Sequence, residues 1–285
     1  MSVLQRITAR VFASAAGGGN PVTIFQTSIP ISPSIKSKLA QSCEWESVVI
    51  SPGDALTFFM PSGDEVSFCA HAAMGAACVL SELSGDSHTI KFHTNDLCPQ
   101  SAMVDRQSSG SINIGLFMDS VYHEKLVDAH SLLQLCSVKS EHVMSSLPII
   151  NASVARSKTL VRLVSVDALH NVSPPWDPEA FRIACDIIDS TGLYLYAESS
   201  DGFECRQFPR ASGYPEDPAT GIAAGALAVC LHPILKRQKY KIYQGTAMGR
   251  PSLIQIRNVK KKNDHRVTLE CWGGVEIDSR DQMRI

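Results

Sequence analysis

Short apolar runs rich in Val, Ile, Phe and Tyr, bounded by Gly, Pro, Asp or Asn, recur along the whole chain and predict strands. The N-terminal residues 1–12 alternate between polar and apolar positions and predict the first strand. Further strands are predicted over residues 22–25, 47–50, 56–59, 89–92, 111–114, 160–164, 192–196, 204–208, 253–256 and 267–271. Helices are predicted over residues 34–43, 71–83, 178–190 and 218–231. Strand clusters interrupted by single helices favour an α+β fold over a doubly wound parallel sheet.

Two of the predicted helices share an unusual layout. His71 and Asp217 are each followed four positions later by a glycine and then by a run of small, uncharged residues. A helix so poor in polar side chains must be surrounded by protein, which suits the axis of a curled sheet. The repeat therefore predicts two similar halves, residues 1–125 and 126–285, with the last strand free to return to the first half.

The overall composition is that of an ordinary globular protein. The chain carries 26 Lys and Arg against 28 Asp and Glu, and 44% of its 285 residues are hydrophobic. This balance excludes a disordered or fibrous protein and offers no basic surface for nucleic acid or an anionic membrane. No apolar run approaches the roughly 20 residues that cross a bilayer, and the N-terminus lacks a signal-peptide core. We therefore expect a cytoplasmic protein without nucleic-acid or membrane partners.

The cysteines do not suggest a metal site. Nine cysteines are present, mostly among apolar residues and without CxxC or Cys/His spacing, which predicts reduced thiols in the core. Neither GxGxxG nor GxxxxGK[ST] occurs, so the sequence also lacks the dinucleotide and phosphate-loop motifs. We expect an enzyme whose chemistry depends on its own side chains.

The starts of the two apolar helices form the first candidate site. Backbone N–H groups at a helix N-terminus attract anions, so two such ends suit a substrate carboxylate. The residues expected to bind it are Ala72, Ala73, Gly75, Ala219, Thr220 and Gly221. His71 and Asp217 stand at the two ends and are candidates for catalysis. Alternatively, His71 is a core histidine bonded to the backbone, and Asp217 is a helix N-cap with Pro218 at the first helical position.

Glu46 is the third catalytic candidate, between a predicted helix and a strand. A carboxyl among apolar neighbours such as Trp45 can hold a proton at neutral pH, which a proton shuttle requires. Glu44 is nearby, and spacing alone allows either carboxyl to be the surface residue. Two carboxyls and an imidazole around an anion site suit proton transfer at a carbon next to a carboxylate. Asn20, in a Gly-Asn-Pro turn, is a candidate hydrogen-bond donor to the substrate.

Several motifs resemble those of the phenazine-biosynthesis isomerase family (PhzF-like proteins), relatives of diaminopimelate epimerase and proline racemase. The matching segments are Gly18-Gly-Asn-Pro21, Trp45-Glu-Ser47, Phe59-Met-Pro-Ser62, Glu65-Val-Ser-Phe-Cys-Ala-His71, Tyr214-Pro-Glu-Asp-Pro-Ala-Thr-Gly221 and Gln244-Gly-Thr-Ala-Met-Gly-Arg-Pro251. They span residues 18–251 in family order, so the resemblance covers essentially the whole chain. The Glu-Asp-Pro-Ala-Thr-Gly and Gln-Gly-x-x-Met-Gly-Arg-Pro motifs are quite specific.

The resemblance implies a diaminopimelate epimerase-like fold, in which each half is a curved mixed β-sheet around a central helix and the active site lies in the cleft between the halves. It implies that Glu46 shuttles a proton while His71 and Asp217 line the site. It also implies a homodimer that needs no metal or organic cofactor. The epimerase and racemase relatives typically carry two cysteines at the helix starts, where this chain has His71 and Asp217.

Two departures from the family pattern bear on the substrate. Trp45 replaces a family serine, and Ile222 stands where the family often has serine, so two hydroxyl donors are missing. We therefore expect a cofactor-independent isomerase of a small carboxylate-bearing metabolite, acting by general acid–base proton transfer on an altered substrate. The alternatives are an epimerase, racemase or lyase with the same shuttle, and a non-catalytic homologue that binds a small molecule.

Overall fold

The computed structural model describes residues 3–83, 88–94, 99–262 and 265–284, and its contacts divide the chain into two compact units. The first unit consists of Met1–Phe117 and Trp272–Ile285, and the second of Met118–Cys271. The boundary predicted from the sequence falls after residue 125, within strand β9 (His123–Leu126) of the second unit.

The first unit contains a mixed sheet that closes on itself. Its strands are β1 (Val3–Val11), β2 (Asn20–Gln26), β3 (Ser47–Ser51), β4 (Ala55–Phe59), β5 (Glu65–Val66), β6 (Thr89–Thr94), β7 (Pro99–Arg106), the N-terminal part of β8 (Ile112–Val121) and the C-terminal part of β16 (Arg266–Arg284). Its helices are α1 (Pro33–Gln41) and α2 (Ala70–Leu83). The strand order is β1-β2-β3-β4-β6-β7-β8, and β16 pairs with both β8 and β1, so the two ends of the sheet are joined.

After β9, the strands of the second unit are β10 (Ile150–Ser153), β11 (Lys158–Arg162), β12 (Gly192–Ser199), β13 (Gly202–Pro209), β14 (Lys239–Gln244) and β15 (Ser252–Lys261). They form a sheet with the order β9-β10-β11-β12-β13-β14-β15. Its helices are α3 (His130–Leu135), α4 (Val166–His170), α5 (Pro178–Ile187) and α6 (Gly221–Leu235). Helices α3 and α5 pack against each other, and Phe181 and Phe208 belong to the apolar cluster on this side of the sheet.

The two units repeat the same succession of strand directions. Along β1-β2-β3-β4-β6-β7, the pairings are antiparallel, parallel, antiparallel, parallel and antiparallel. The series β10-β11-β12-β13-β14-β15 has the same order of directions. Helix α2 follows β4 and precedes β6, just as α6 follows β13 and precedes β14. This shared topology confirms the predicted α+β class with two similar halves.

The two apolar helices are the central helices of their units, as their composition predicts. Every residue of α2 over 70–81 is buried, and the helix packs against β1, β2, β3, β4, β6 and β7. Residues 221–229 of α6 are likewise all buried, and α6 packs against β10, β11 and β15. A Cβ at Gly75 would lie 3.1 Å from Val22 Cγ1, so the glycine allows β2 to approach α2 closely.

Helix boundaries follow the capping residues. Helix α1 begins at Pro33 because the Ser32 side chain accepts a hydrogen bond from Ile35 N, and α5 begins at Pro178 after the Asp177 cap. Helix α6 begins at Gly221, three residues after its predicted start, with Thr220 at the N-cap position. Asp217 is therefore not the N-cap of α6, which corrects the alternative interpretation of this residue.

The sequence pattern did not predict seven elements, which are the helices α3 and α4 and the strands β5, β7, β9, β10 and β14. Strand β9 is exposed at all four positions and β7 begins with a proline, so neither has the apolar alternation of a typical strand. Among the described residues, none of the helices has the length and apolar character needed to span a membrane.

Candidate active site

Glu46 is a buried carboxyl at the entry to a strand of the first unit. It immediately precedes β3, and its carbonyl oxygen accepts a hydrogen bond from Thr23 N of β2 at 3.2 Å. Glu46 is 6% exposed, whereas Glu44, two residues earlier, is exposed. The parallel pairing of β2 and β3 fixes the backbone at this point, and of the two carboxyls that the sequence left open, Glu46 is the buried one.

His71 lies beside Glu46 at the start of α2. Its Nε2 is 3.9 Å from Glu46 Oε2, and both side chains are more than nine-tenths buried. On the other side of the ring, Nδ1 lies 3.5 Å from Asn20 Nδ2 and 3.4 Å from Cys69 Sγ. Because the Asn20 amide nitrogen can only donate, Nδ1 accepts, and the neutral imidazole carries its proton on Nε2, towards Glu46. The ring therefore connects a hydrogen-bond donor to a buried acid.

A glycine turn sets the position of Asn20. Gly19 has φ +90°, and a Cβ there would lie 2.9 Å from the Val11 carbonyl oxygen, so both the conformation and the space require glycine. Asn20 follows as the first residue of β2 and is fully buried. The Gly-Asn-Pro turn thus places the predicted donor against His71.

The amides at the start of α2 are partly used by the helix itself. Ala73 N donates to Cys69 O at 2.9 Å, so this predicted anion donor is bonded within the protein. Gly75 lies further along, in the part of a helix where amides bond to carbonyls of the preceding turn. Ala72 N–H belongs to the first turn, whose amides have no carbonyl one turn earlier in the helix. Of the three predicted donors here, Ala72 is the one at the open end.

Asp217 is the centre of a separate polar cluster in the second unit. Its Oδ2 accepts a hydrogen bond from Thr220 Oγ1 at 2.6 Å, and its Oδ1 accepts one from Ala219 N at 3.4 Å. Asp217 N in turn donates to Gln207 O of β13 at 3.0 Å. The carboxylate is thus held at the start of α6, where Gly221 supplies the first helical amide.

Gln244 is a member of this cluster that sequence reasoning missed. Its Nε2 donates to Asp217 O at 2.7 Å and to Thr220 Oγ1 at 3.1 Å, and its Oε1 accepts from Thr220 N at 3.2 Å. Tyr194 OH also donates to Gln244 Oε1 at 3.2 Å. The amides of Ala219 and Thr220 are therefore used within the protein. The alternation of buried Tyr240, Ile242 and Gln244 in β14 could have revealed a polar residue on a buried face.

The described cysteines are all free thiols, and Cys98 lies outside the described residues. Burial raises the pKa of Cys78 to about 11 and the pKa of both Cys185 and Cys271 to about 12. These three thiols are therefore protonated at neutral pH and are poor nucleophiles. Over the part of the chain that the structure describes, no group of three or more His, Cys, Asp or Glu is arranged to hold a metal ion.

Comparison with solved structures defines the class of fold. The chain aligns with a Bacillus anthracis phenazine biosynthesis protein of the PhzF family at a TM-score of 0.87 and 17% identity, over 100% of each chain. A hydroxyproline epimerase from Agrobacterium vitis aligns at a TM-score of 0.64 and 10% identity, over 99% of this chain and 91% of the epimerase. These similarities confirm the diaminopimelate epimerase-like fold.

Comparison of sequences gives the family. Residues 9–274 match the family described as phenazine biosynthesis-like protein (PhzC-PhzF), and the chain belongs to this family. It is 28% identical over 270 residues to the trans-2,3-dihydro-3-hydroxyanthranilate isomerase of Pseudomonas chlororaphis, which covers 92% of each protein. The predicted membership of a PhzF-like family of isomerases is confirmed.

Proposed function

We propose that this chain is a cofactor-independent isomerase of a small carboxylate-bearing substrate, with Glu46 as the group that moves the proton. The observation that carries the proposal is the buried Glu46 carboxyl, with its Oε2 3.9 Å from His71 Nε2 at the start of α2. A buried acid next to an imidazole can take a proton from a substrate carbon and release it again. Membership of an isomerase family supports the same reaction type.

The proposed reaction needs no oxidant or reductant. The Glu46 carboxylate removes a proton from a substrate carbon, and the electron pair of the broken C–H bond moves into the conjugated system next to the substrate carboxylate. Glu46, now protonated, gives the proton to a different carbon, where a new C–H bond forms as the double bonds shift. His71 Nε2–H stabilises the negative charge on Glu46 before the transfer and on the substrate during it.

We propose substrate-binding roles for the polar groups at the start of α2 and for those at the start of α6, each within its own unit. Asn20 and Ala72 N–H in the first unit, and Gly221 N–H in the second, are the donors proposed for substrate oxygens. Asp217 is proposed to accept hydrogen bonds from a hydroxyl or amino group of the substrate and to orient it. The half-buried Trp45 and the buried Ile222 offer apolar surface where the family resemblance implies hydroxyls, which supports a substrate different from that of the Pseudomonas chlororaphis isomerase.

Proton NMR in heavy water tests the role of Glu46. The substrates are trans-2,3-dihydro-3-hydroxyanthranilate and a panel of small amino and hydroxy acids, incubated with wild type, Glu46→Gln and Glu44→Gln. Glu44 is exposed and two residues away, so it provides a matched control for loss of a nearby carboxyl. We expect deuterium in one compound with wild type and Glu44→Gln, and none with Glu46→Gln, although all three fold equally well. Undiminished exchange by Glu46→Gln would refute the assignment.

An epimerase is the second candidate, and the position of Cys69 favours it. Its Sγ lies 3.4 Å from His71 Nδ1, so a thiol base is available close to the same helix start. Epimerisation would return the label to the carbon that lost its proton, whereas isomerisation would place it on another carbon. Cys69→Ser distinguishes the two reactions further, since only an epimerase that uses the thiol would lose exchange in this variant.

A further inference from the structure

Gln207 is a fully buried glutamine on β13 of the second unit, and it presents an unusual polar group. Neither its Oε1 nor its Nε2 has a hydrogen-bond partner among the described residues. A buried donor and a buried acceptor left unpaired are both costly, so such a side chain in a folded protein calls for a functional explanation.

Strand pairing places Gln207 next to Asp217. Gln207 lies opposite Tyr194 of β12, and on its other side it forms an antiparallel bridge with Asp217. Residues directly opposite each other in antiparallel pairs point to the same face, with Cβ atoms about 4.5–5.5 Å apart. The side chains of Tyr194, Gln207 and Asp217 therefore share one face. A Cβ at Gly192 would lie 2.6 Å from Gln207 Nε2, so the absence of a side chain at Gly192 leaves room for the amide.

Gln244 provides a comparison, because it is a buried glutamine with a structural role. It is also fully buried and belongs to the Asp217 cluster, but its Oε1 and Nε2 are both bonded to Thr220, with further bonds to Asp217 and Tyr194. Of these two buried glutamines, Gln244 is bonded through both amide atoms, whereas neither amide atom of Gln207 has a hydrogen-bond partner among the described residues. Gln207 adjoins the proposed substrate-orienting residue, Asp217, through its backbone bridge.

We propose that Gln207 is a specificity-determining residue that binds a hydroxyl- or amino-substituted carboxylate. Its Nε2 donates to an oxygen of the substrate carboxylate, and its Oε1 accepts from the neighbouring hydroxyl or amino group. A primary amide fits such a pair because it presents one donor and one acceptor side by side. Ile222 in the first turn of α6 is buried and apolar, and Gln207 supplies a polar side chain in the same unit. This assignment rests on the proposed function, because it specifies the substrate of that site.

Four stable aromatic acids test this assignment by calorimetric binding. They are 3-hydroxyanthranilate, anthranilate, 3-hydroxybenzoate and benzoate, which differ only in the amino and hydroxyl groups. Each is titrated into wild type, Gln207→Met and the matched control Gln244→Met. We expect Gln207→Met to weaken all four acids because the carboxylate contact is lost, and to weaken the acids that carry an amino or hydroxyl group about tenfold more than benzoate. Melting temperatures of the ligand-free proteins should be unchanged or higher for Gln207→Met and lower for Gln244→Met.

Several outcomes would overturn the proposal. The first is that Gln207→Met weakens all four acids equally, or none of them. The second is that wild type binds no amino- or hydroxyl-bearing acid. The third is that the melting temperature of Gln207→Met is as low as that of Gln244→Met.

The heavy-water experiment separates this proposal from the proposed function. If wild type catalyses no exchange but the binding pattern holds, Gln207 recognises a ligand in a protein that is not an isomerase. If exchange occurs and Gln207→Met binds like wild type, only the assignment of Gln207 is wrong.

Discussion

Arg206 and Glu216 form a buried, two-point ion pair in the second unit. Arg206 Nε lies 2.8 Å from Glu216 Oε1 and Nη2 lies 2.6 Å from Oε2, and both side chains are more than nine-tenths buried. Arg206 Nη1 also donates to Val172 O and, at 3.3 Å, to Leu169 O. Because Glu216 directly precedes Asp217, the pair attaches the segment that carries the proposed substrate-orienting carboxylate to β13.

Breaking this pair on one side should destabilise the protein strongly. Arg206→Met leaves the Glu216 charge buried without its partner. Glu216→Gln likewise leaves the Arg206 guanidinium buried without a carboxylate partner. Each is expected to lower the free energy of unfolding by about 3–5 kcal/mol, measured by urea denaturation. The double variant Arg206→Met with Glu216→Leu removes both charges and should recover much of that loss.

An exposed ion pair provides the control for this prediction. Arg182 and Glu179 on α5 approach to 2.6 Å but remain largely in solvent. Glu179→Gln should change the free energy of unfolding far less than Arg206→Met does, because solvent screens an exposed pair. If Arg206→Met costs no more than Glu179→Gln, the buried pair does not hold the Asp217 segment in the way we describe.

Asp217→Asn should distinguish the role of the Asp217 negative charge from the role of its hydrogen bonds in stability. The asparagine Oδ1 can still accept the hydrogen bond from Thr220 Oγ1, so we expect a loss of at most about 2 kcal/mol in the free energy of unfolding. The negative charge is lost, so substrate turnover should fall by about 10²-fold or more in the heavy-water assay. Thr220→Val is the control, since it removes the hydroxyl donor and keeps the charge. If Asp217→Asn unfolds more easily than Thr220→Val and retains full turnover, Asp217 has only a structural role.

The architecture could be predicted from the sequence because its strongest signals are local. The two runs of small, uncharged residues after His71 and Asp217 identified the central helices, since no surface helix tolerates such a composition. Every strand predicted from β-branched and aromatic runs is present, with shifted ends. Helix α6 begins later than predicted because the Asp217 side chain bonds back to Ala219 and Thr220, an arrangement that a Pro at the predicted first position does not reveal.

The environment of the site depends on tertiary contacts and was less predictable. Glu46 is buried directly before β3, which pairs with β2, a segment separated from it in the chain, whereas Glu44 is exposed. Gln207 and Gln244 are both polar residues in strands, and sequence cannot tell which amide the protein satisfies. That difference arises because Gln244 ends β14 next to the start of α6, where Thr220 bonds to both of its amide atoms.

The protonation of His71 should depend on Asn20. In wild type, Nδ1 accepts from Asn20 Nδ2 at 3.5 Å, so long-range proton–nitrogen NMR should find the neutral ring protonated on Nε2 at pH 7. Asn20→Asp places a carboxylate against Nδ1 and should shift the ring towards imidazolium, with slower substrate exchange as a consequence. Asn171→Asp, at the exposed end of α4, should leave His71 unchanged. A wild-type ring protonated on Nδ1 would contradict this arrangement.

Buried thiols should resist alkylation until the protein unfolds. Because burial raises the pKa of Cys78 to about 11 and of Cys271 to about 12, above the ordinary value of 9.0, both remain protonated at pH 8 in the folded state. Iodoacetamide at pH 8 should therefore label the half-buried Cys43 and Cys230 first, and Cys78 and Cys271 only in urea, as read by peptide mass spectrometry.

The same two thiols should make stability depend on pH. The unfolded state loses its thiol protons above about pH 9, so Cys78 and Cys271 should lower the free energy of unfolding as pH rises from 9 to 12. Cys271→Ala should reduce that pH dependence. Rapid labelling of Cys78 in the native protein, at a rate close to that of Cys43, would mean that α2 opens far more readily than its burial indicates.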